Sequence, residues 1–379
     1  MKRIGITGAF GFLGANFISA LLAAPKIALF PADKLEVVAF SSRIRNNPLF
    51  SPENVTIESL DILDRQDVFT KFQGLDAIAH FAGRVDYRRA YRREVWDTDV
   101  LGTKNVFDAA LTAKVPRILY VSSISALGSG HEAGNSRADG MPDETRYANE
   151  SSTPYGDPGW PSSFSSAAEV YAAIEASLSG DYCFLDKMQV AYFDAKLAGW
   201  ELAKLYARDK GLPVVTIFPG TAVGAGDMHN AITKLVNNVW EGRLRFATSG
   251  ATAFMDARDL GEGALCALSR GRRGEGYVIA GRDEHNLSYA EFIGLVAGLA
   301  RSEGWHAQRR PLVLPRPLTL KIASIVERAI PKGSLTRALA LSGSMRNTCT
   351  SKKAQTELQY KPRATLEEGI LMCRRFMHS

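Results

Sequence analysis

Apolar and polar positions follow two alternating periods along the first half of the chain. Short runs rich in apolar and β-branched residues predict strands, and the longer stretches between them have the spacing of amphipathic helices, including 98–111 and 185–209. Strand and helix in repeated alternation predict a doubly wound parallel sheet of the α/β class, with ligands at the carboxyl ends of the strands. The predicted strands are residues 2–7, 35–40, 55–58, 76–83, 117–121 and 212–218.

Three glycines, Gly8, Gly11 and Gly14, separate the first strand from the first helix. Glycine is needed in such a turn because a Cβ would clash with the tight backbone or with an approaching pyrophosphate. The helix then directs its free N–H groups and the positive end of its dipole at that pyrophosphate. This turn predicts a dinucleotide site that also includes Phe10, Phe12 and Leu13. A secretory signal peptide is the competing interpretation of residues 1–25, and the change of periodicity around the glycines disfavours it.

The spacing of apolar residues predicts that the second half of the chain is mostly helical. It predicts a smaller, mostly helical substrate-binding domain at 219–379 beside a dinucleotide-binding domain at 1–218, to which 253–264 returns. Residues 129–181 are irregular apart from a short helix at 166–178, and we expect this insertion to cover the substrate pocket. The other predicted elements are helices at 231–242, 259–268, 289–302, 318–329, 351–358 and 366–377, and strands at 253–255 and 277–279.

The end of the second predicted strand bears on the choice of cofactor. In NAD-binding units an acidic residue at this position accepts hydrogen bonds from the adenosine ribose hydroxyls. Here Ser41, Ser42 and Arg43 follow the strand, and no carboxylate is present. A hydroxyl and a guanidinium suit a 2′-phosphate, so the sequence favours NADP over NAD.

The cysteine content and the charge of the chain narrow the possible kinds of site and partner. Four cysteines are scattered without a C-x-x-C pair, which favours thiols in a reducing cytoplasm over a disulfide framework or a metal site. The net charge is +6. The densest basic cluster has helical spacing and is interpreted as a solvated helix face, with an anionic partner as the alternative. No nucleic-acid-binding motif accompanies it. The cluster consists of Arg88, Arg89, Arg92 and Arg93.

Tyr192 and Lys196 are the strongest candidates for chemistry. Four residues apart on one helix, they share a face. A neighbouring ammonium and an oxidised nicotinamide would both lower the pKa of the phenol, which could then exchange a proton with a substrate oxygen during hydride transfer. Ser123, after the fifth predicted strand, would hydrogen-bond the same oxygen. Tyr206 and Lys210 have the same spacing, but they lie at the far end of the helix.

Six motifs in one order resemble the extended short-chain dehydrogenase/reductase family, also called NAD-dependent epimerase/dehydratase, over residues 2–290. They are residues 7–14, 80–83, 102–106 and 122–128, the Tyr192/Lys196 pair, and residues 219–224. The resemblance implies a Rossmann-type sheet, NADP or NAD as cofactor, and a homodimer. It implies catalytic roles for Ser123, Tyr192 and Lys196. It places at the cofactor Asp61 and Ile62 near the adenine, Phe81, Ala82 and Gly83 along its length, and Pro219 and Thr221 near the nicotinamide.

Three departures from the family pattern stand out. Asp99 occupies a position where the family often has Asn, Phe218 replaces an Arg, and the gap between Ser123 and Tyr192 is longer than usual.

The motifs at 120–128 and 217–224 look more like dihydroflavonol-reductase-like and hydroxysteroid-dehydrogenase-like members than like nucleotide-sugar epimerases. We therefore expect an oxidoreductase acting on a ketone, aldehyde or secondary alcohol. An NAD-dependent sugar epimerase/dehydratase and a non-catalytic regulatory protein are the alternatives. Residues 312–341 mix apolar and basic positions, and a wall of the substrate pocket is favoured there over peripheral membrane contact.

Overall fold

The computed structural model describes residues 2–23, 35–44, 49–129, 147–152, 154–155, 157, 159–181, 188–227, 231–307 and 311–377. Its strands are β1 Lys2–Thr7, β2 Leu35–Ser41, β3 Thr56–Ser59, β4 Ala77–His80, β5 Ile118–Val121, β6 Val214–Pro219, β7 Thr221–Val223, β8 Phe246–Thr248, β9 Ala251–Asp256, β10 Gly276–Ile279, β11 Asn286–Ser288, β12 Leu312–Leu314 and β13 Arg346–Asn347. Its α-helices are α1 Phe12–Ala23, α2 Arg65–Lys71, α3 Arg92–Trp96, α4 Thr103–Thr112, α5 Ala167–Ser179, α6 Ala191–Asp209, α7 Ala231–Trp240, α8 Ala257–Arg270, α9 Tyr289–Ser302, α10 Arg316–Ala329, α11 Arg337–Ser342, α12 Lys352–Leu358 and α13 Leu366–Met377.

Seven parallel strands form the central sheet in the order β3-β2-β1-β4-β5-β6-β10. Buried side chains of α1, α8 and α12 pack on one face of this sheet. The other face is covered by α2 to α6. The predicted doubly wound, Rossmann-type architecture is therefore confirmed, and it brings the carboxyl ends of β1, β4, β5 and β6 to one edge.

The sequence places the strand predicted at 277–279 in the substrate-binding domain, and this prediction is wrong. It is β10, which pairs in parallel with β6 and forms one border of the central sheet. A short apolar run does not reveal which sheet it joins, because its partner is distant in sequence. The C-terminal half builds its own layer from β9, which pairs with β7, β11 and β13. That layer packs with α7, α9 and α13.

Two predicted helices begin or run differently in the structure. The helix predicted at 185–209 begins at Ala191, while residues 182–187 lie outside the described part. The helix predicted at 98–111 consists of a π-helical turn, Asp97–Gly102, followed by α4. A π-turn holds one extra residue, which sequence periodicity does not reveal.

The basic cluster does not form one helix face. Arg88 precedes a 3-10 turn and forms an ion pair with Asp86 at 2.7 Å. Its guanidinium also lies over the ring of Tyr91, 4.2 Å from the centroid. Arg88 therefore lies before the helical residues and pairs with Asp86, and it does not share a helix face with the other three arginines.

The described part of the insertion is anchored along α6. The hydroxyls of Tyr155 and Tyr171 donate hydrogen bonds to the Glu201 carboxylate at 2.6 and 3.2 Å. Near the start of the same helix, Ser162 and Ser163 donate to Asp194. The expectation that the insertion covers the substrate pocket remains a prediction, since residues 130–146 lie outside the described part.

One helix contact is close enough to require glycine. α8 crosses α1 so tightly that a Cβ on Gly261 would lie 2.6 Å from the carbonyl oxygen of Asn16. We expect Gly261→Ala to lower the free energy of unfolding by about 1–3 kcal/mol, because backbone atoms cannot yield to the methyl group. Gly294→Ala in α9 is the matched control, because its Cβ would meet nothing within 4 Å. It should stabilise the protein by about 0.5–1 kcal/mol. Equal effects of the two substitutions in urea unfolding would contradict this packing.

Candidate active site

The glycine turn between β1 and α1 contains two glycines that the protein's own backbone requires. Gly8 has a φ of +68°, and a Cβ there would lie 2.5 Å from the amide nitrogen of Ala82. A Cβ on Gly14 would lie 2.4 Å from the carbonyl oxygen of Gly8. These glycines let β1, the turn and the end of β4 pack together.

Gly11 differs from them, because it is exposed and its Cβ would meet only the Gly8 carbonyl oxygen at 3.1 Å. The amides of the first turn of α1, which includes Phe12 and Leu13, have no acceptor within the helix. Phe10 packs against Phe50 at one side of the turn, with ring centroids 5.4 Å apart. The open glycine and the free amides form a surface that fits a pyrophosphate.

At the end of β2, Ser41 and Arg43 form a compact turn. The Ser41 hydroxyl accepts from the Arg43 amide at 3.1 Å and donates to its carbonyl at 3.0 Å. The Arg43 side chain is exposed beyond this turn. Its guanidinium is therefore free to meet a phosphate, whereas the Ser41 hydroxyl already has backbone partners.

Asp61 and Ile62 follow β3 at the same edge of the sheet. Asp61 is exposed, and its carboxylate accepts the Leu63 amide at 3.0 Å. Ile62 is buried, and its side chain touches the place where a Cβ on Gly102 would lie, 2.6 Å away. Ile62 could therefore offer a ligand little beyond its backbone, while Asp61 keeps one carboxylate face in solvent.

Ala82 and Gly83 continue from β4 along the site. Phe81, just before them, packs its ring against Phe17 of α1 with centroids 5.0 Å apart. Gly83 is exposed on one side. On its other side, a Cβ would lie 2.7 Å from the Asp99 carboxylate and 3.0 Å from the Lys196 ammonium. A side chain here would fill the space between these groups and a ligand.

Pro219 ends β6, and Thr221 begins β7 directly after Gly220. The Thr221 hydroxyl shares a 2.9 Å hydrogen bond with the hydroxyl of Thr252 on β9. These residues mark the place where the chain leaves the central sheet for the C-terminal layer.

The structure brings Ser123 and Tyr192 together. Ser123 follows β5, and Tyr192 is the second residue of α6, so both lie at the carboxyl edge of the sheet. The Ser123 hydroxyl is close enough to the phenol of Tyr192 to affect its ionisation. Burial raises the pKa of Tyr192 above its usual value, the Ser123 hydroxyl lowers it, and the charge of Asp99 raises it.

Lys196 lies beneath this tyrosine, with its ammonium 5.7 Å from the centroid of the ring. The ammonium forms an ion pair with Asp99 at 2.6 Å, and both side chains are buried. Burial lowers the pKa of Lys196, and the Asp99 carboxylate more than offsets this, so the pKa lies above its usual value. The pKa of Tyr192 lies above its usual value, chiefly because the phenol is buried and also because the Asp99 charge is near. The predicted lowering by Lys196 together with an oxidised nicotinamide stays a prediction.

Asp99 is positioned by the π-helical turn. Its second carboxylate oxygen accepts the Arg84 amide at 2.9 Å, just after the end of β4. Sequence reasoning noted this residue only as a departure from the family pattern. Its apolar neighbours Val95, Trp96 and Val100, all buried, were the signal that the carboxylate points inward.

A chain of hydrogen bonds connects the glycine turn to this ion pair. The Thr103 hydroxyl donates to the Asp99 carbonyl at 2.7 Å, so its oxygen must accept from Nε2 of His80 at 3.0 Å. Nδ1 of His80 then accepts from the Thr7 hydroxyl at 2.6 Å. Burial, with a smaller effect of the Lys196 cation, lowers the pKa of His80 to about 3. His80 is a neutral, fully bonded core residue, as its position in an apolar strand predicts.

The second Y-x-x-x-K pair lies elsewhere. Tyr206 donates to the Asp108 carboxylate at 2.6 Å, and the ammonium of Lys210 lies over its ring, 3.9 Å from the centroid. Asp108 belongs to α4, whose C-terminal end faces away from the carboxyl edge of the sheet. Tyr206 is thus a buried structural residue.

Tyr87 was missed by the sequence analysis. Its ring meets that of Tyr192 edge to face, with centroids 5.8 Å apart. The Thr336 hydroxyl, just before α11, donates to the Tyr87 carbonyl at 3.1 Å, so the C-terminal half reaches the site at this point. Among the described residues, no group of three or more His, Cys, Asp or Glu side chains could hold a metal ion.

Comparison with known proteins identifies the family. The model of the NAD dependent epimerase/dehydratase family matches residues 4–156 and 162–280. The chain belongs to this family. It is accordingly an enzyme of the extended short-chain dehydrogenase/reductase type, as the motifs imply.

Individual relatives are distant. Sterol demethylase protein B of Methylococcus capsulatus is 24% identical over 280 residues, which cover 73% of this chain and 69% of that protein. A putative dihydroflavonol 4-reductase of Synechocystis is 25% identical and covers 83% of this chain and 76% of its own. The structure of DesIV, a dTDP-glucose 4,6-dehydratase from Streptomyces venezuelae with NAD and TYD bound, superposes with a TM-score of 0.70 at 21% identity, covering 99% of this chain and 97% of that one.

The buried pair of Asp99 and Lys196 gives a stability prediction. Asp99→Asn should lower the free energy of unfolding by about 3–5 kcal/mol, because it leaves a buried ammonium without its counter-charge. Adding Lys196→Met should restore most of this loss, since both charges are then gone. Asp61→Asn, at an exposed carboxylate, is the control and should change stability by less than about 0.5 kcal/mol. A double variant no more stable than Asp99→Asn alone in urea unfolding would show that the pair is not coupled.

Proposed function

We propose that the enzyme is an NADP-dependent oxidoreductase that interconverts a ketone or aldehyde with the corresponding alcohol. The observation that carries this proposal is the convergence of Ser123 and Tyr192 at the carboxyl edge of the sheet, above the buried ammonium of Lys196 and beside the open face of Gly83. Two hydroxyls that converge at the carboxyl edge of a Rossmann-type sheet can both reach one substrate oxygen.

The roles of the side chains follow from their bonding. Tyr192 donates its proton to the substrate oxygen in reduction and removes it in oxidation, while Ser123 hydrogen-bonds the same oxygen. Lys196 holds positive charge beneath the phenol, and Asp99 fixes the position of that charge. When bound, the nicotinamide supplies or accepts the hydride, and its oxidised form adds positive charge beside the phenol.

Residues of the cofactor site have the properties that NADP needs. The exposed guanidinium of Arg43 stands at the end of β2, and Ser42 beside it is also exposed. A guanidinium can bind a 2′-phosphate through charge-assisted hydrogen bonds. Asp61 remains accessible for the adenine side. An NAD-dependent epimerase/dehydratase would use the same catalytic residues, and it is distinguished by how it holds its cofactor.

Tyr192→Phe tests the proton transfer. We expect kcat for carbonyl reduction to fall by about 10²- to 10⁴-fold with cofactor affinity unchanged, since only the transferable proton is lost. Tyr206→Phe is the matched control from the second Y-x-x-x-K pair, and it should keep full activity while losing about 1 kcal/mol of stability through its bond to Asp108. The assay follows NADPH oxidation with a panel of ketones and aldehydes.

Loss of activity in Tyr206→Phe, or an active Tyr192→Phe, would contradict the assignment of the catalytic tyrosine. NAD retained by the purified protein and released only on denaturation would instead favour the epimerase/dehydratase alternative.

Arg43→Ala tests the choice of cofactor. We expect the variant to bind NADPH about tenfold more weakly, because a charge-assisted contact with the 2′-phosphate is lost. Affinity for NADH should not change, and this comparison serves as the internal control. Fluorescence titration measures both constants. Equal weakening for the two nucleotides, or wild-type preference for NADH, would show that Arg43 does not recognise the phosphate.

A further inference from the structure

α10 has an apolar stripe that faces solvent. Leu318, Ile322 and Ile325 are 45%, 39% and 58% exposed. Their spacing of four and three residues places them on one face of the helix, whereas Thr319 and Ala323 on another face are buried. Exposed apolar residues continue along the chain on both sides of this helix. We call the whole set the α10 face: Leu312, Val313, Leu318, Ile322, Ile325, Ile330 and Leu335.

Basic side chains accompany the α10 face. Residues 311–343 contain five lysines and arginines and one acid, although the whole chain has a net charge of only +6. The acid, Glu327, accepts the Arg337 amide at 2.9 Å. By helical geometry, Lys321 and Arg328 lie beside the apolar stripe. Within the described residues, none of the five forms an ion pair; they are Arg316, Lys321, Arg328, Lys332 and Arg337.

The same segment reaches the active site. α10 and α11 pack against each other, and the Thr336 hydroxyl just before α11 donates to the Tyr87 carbonyl at 3.1 Å. The ring of Tyr87 in turn meets that of Tyr192, with centroids 5.8 Å apart. The α10 face is therefore connected through one helix to the catalytic tyrosine.

We propose that the α10 face binds the surface of an anionic lipid bilayer and holds the active site beside it. An exposed apolar stripe flanked by lysine and arginine is the arrangement of helices that lie in the bilayer interface. No helix in the described part of the chain is long and apolar enough to cross a membrane, so the contact is peripheral.

A second copy of the chain fits the face less well, because a symmetric contact would place the same basic residues on both sides of the interface.

A consequence for the substrate rests on the proposed function. An active site held at a bilayer surface takes apolar carbonyl compounds that partition into lipid. Anionic vesicles should therefore increase the reduction rate of decanal relative to that of propanal. If vesicles change the two rates equally, the preference for apolar substrates is wrong, but the proposed binding of the α10 face to the bilayer is unaffected.

Vesicle flotation of the full-length protein tests the docking. We expect binding to vesicles of mixed phosphatidylglycerol and phosphatidylcholine, weaker binding at high salt, and little binding to phosphatidylcholine alone. The double substitution Ile322→Ser with Ile325→Ser should weaken binding at least about tenfold, since the apolar stripe is lost. Leu178→Ser, at a residue of α5 that is 55% exposed, is the matched control and should bind like the wild type.

Unchanged NADPH affinity in the double variant shows that it folds, and Tyr192→Phe should bind vesicles normally, which separates docking from catalysis. Absence of binding to anionic vesicles, or equal binding by the double variant, would overturn the proposal. So would a dimer in sedimentation velocity that the double substitution abolishes, because the face would then be a contact between copies of the chain.

Discussion

The ion pair of Lys196 and Asp99 imposes the strictest constraint on this active site. A lysine buried below Tyr192 can remain charged only if a carboxylate compensates for the water it has lost. Three features of the sequence serve that arrangement. The π-helical turn points Asp99 inward, Gly83 lacks the Cβ that would displace both groups, and Thr103 bonds the carbonyl of Asp99. The glycine after β4 is therefore needed for the ion pair beneath it, and it also leaves this side of the site open to solvent.

Much of the architecture could be predicted because it depends on local patterns. Alternating strand and helix signals gave the parallel sheet, and chain order then placed Ser123 and Tyr192 at the same edge. Contacts that depend on distant partners could not be predicted in this way. The pairing of β10 with β6, the π-turn, and the neutralisation of Lys196 each require knowledge of which surfaces meet in space.

One network could have been predicted from the sequence. Thr7 and His80 end two strands that the fold makes neighbours, and the two residues are paired in the observed register. A polar residue at the end of each buried strand needs a hydrogen-bond partner, and a neighbouring strand end is the natural place for it. The exposure of the α10 face could not be predicted from the sequence, because the spacing of apolar residues does not show whether another element covers that face of the helix.

Hydroxyl groups of the insertion donate hydrogen bonds to two acidic residues of α6. Asp194 and Glu201 lie two turns apart on this helix, and both receive hydroxyl groups from the insertion. Burial raises the pKa of Asp194 to about 7, although the bonds from Ser163 and Ser162 lower it. Between its ordinary value of 3.8 and about 7, the folded protein therefore keeps a proton that the unfolded chain releases. By linkage, this group's contribution to stability falls as the pH rises through that interval and is constant above it. The first turn of α6 thus carries a neutral carboxyl in mildly acidic solution and a desolvated anion in alkaline solution, two residues away from Tyr192, the proposed proton donor.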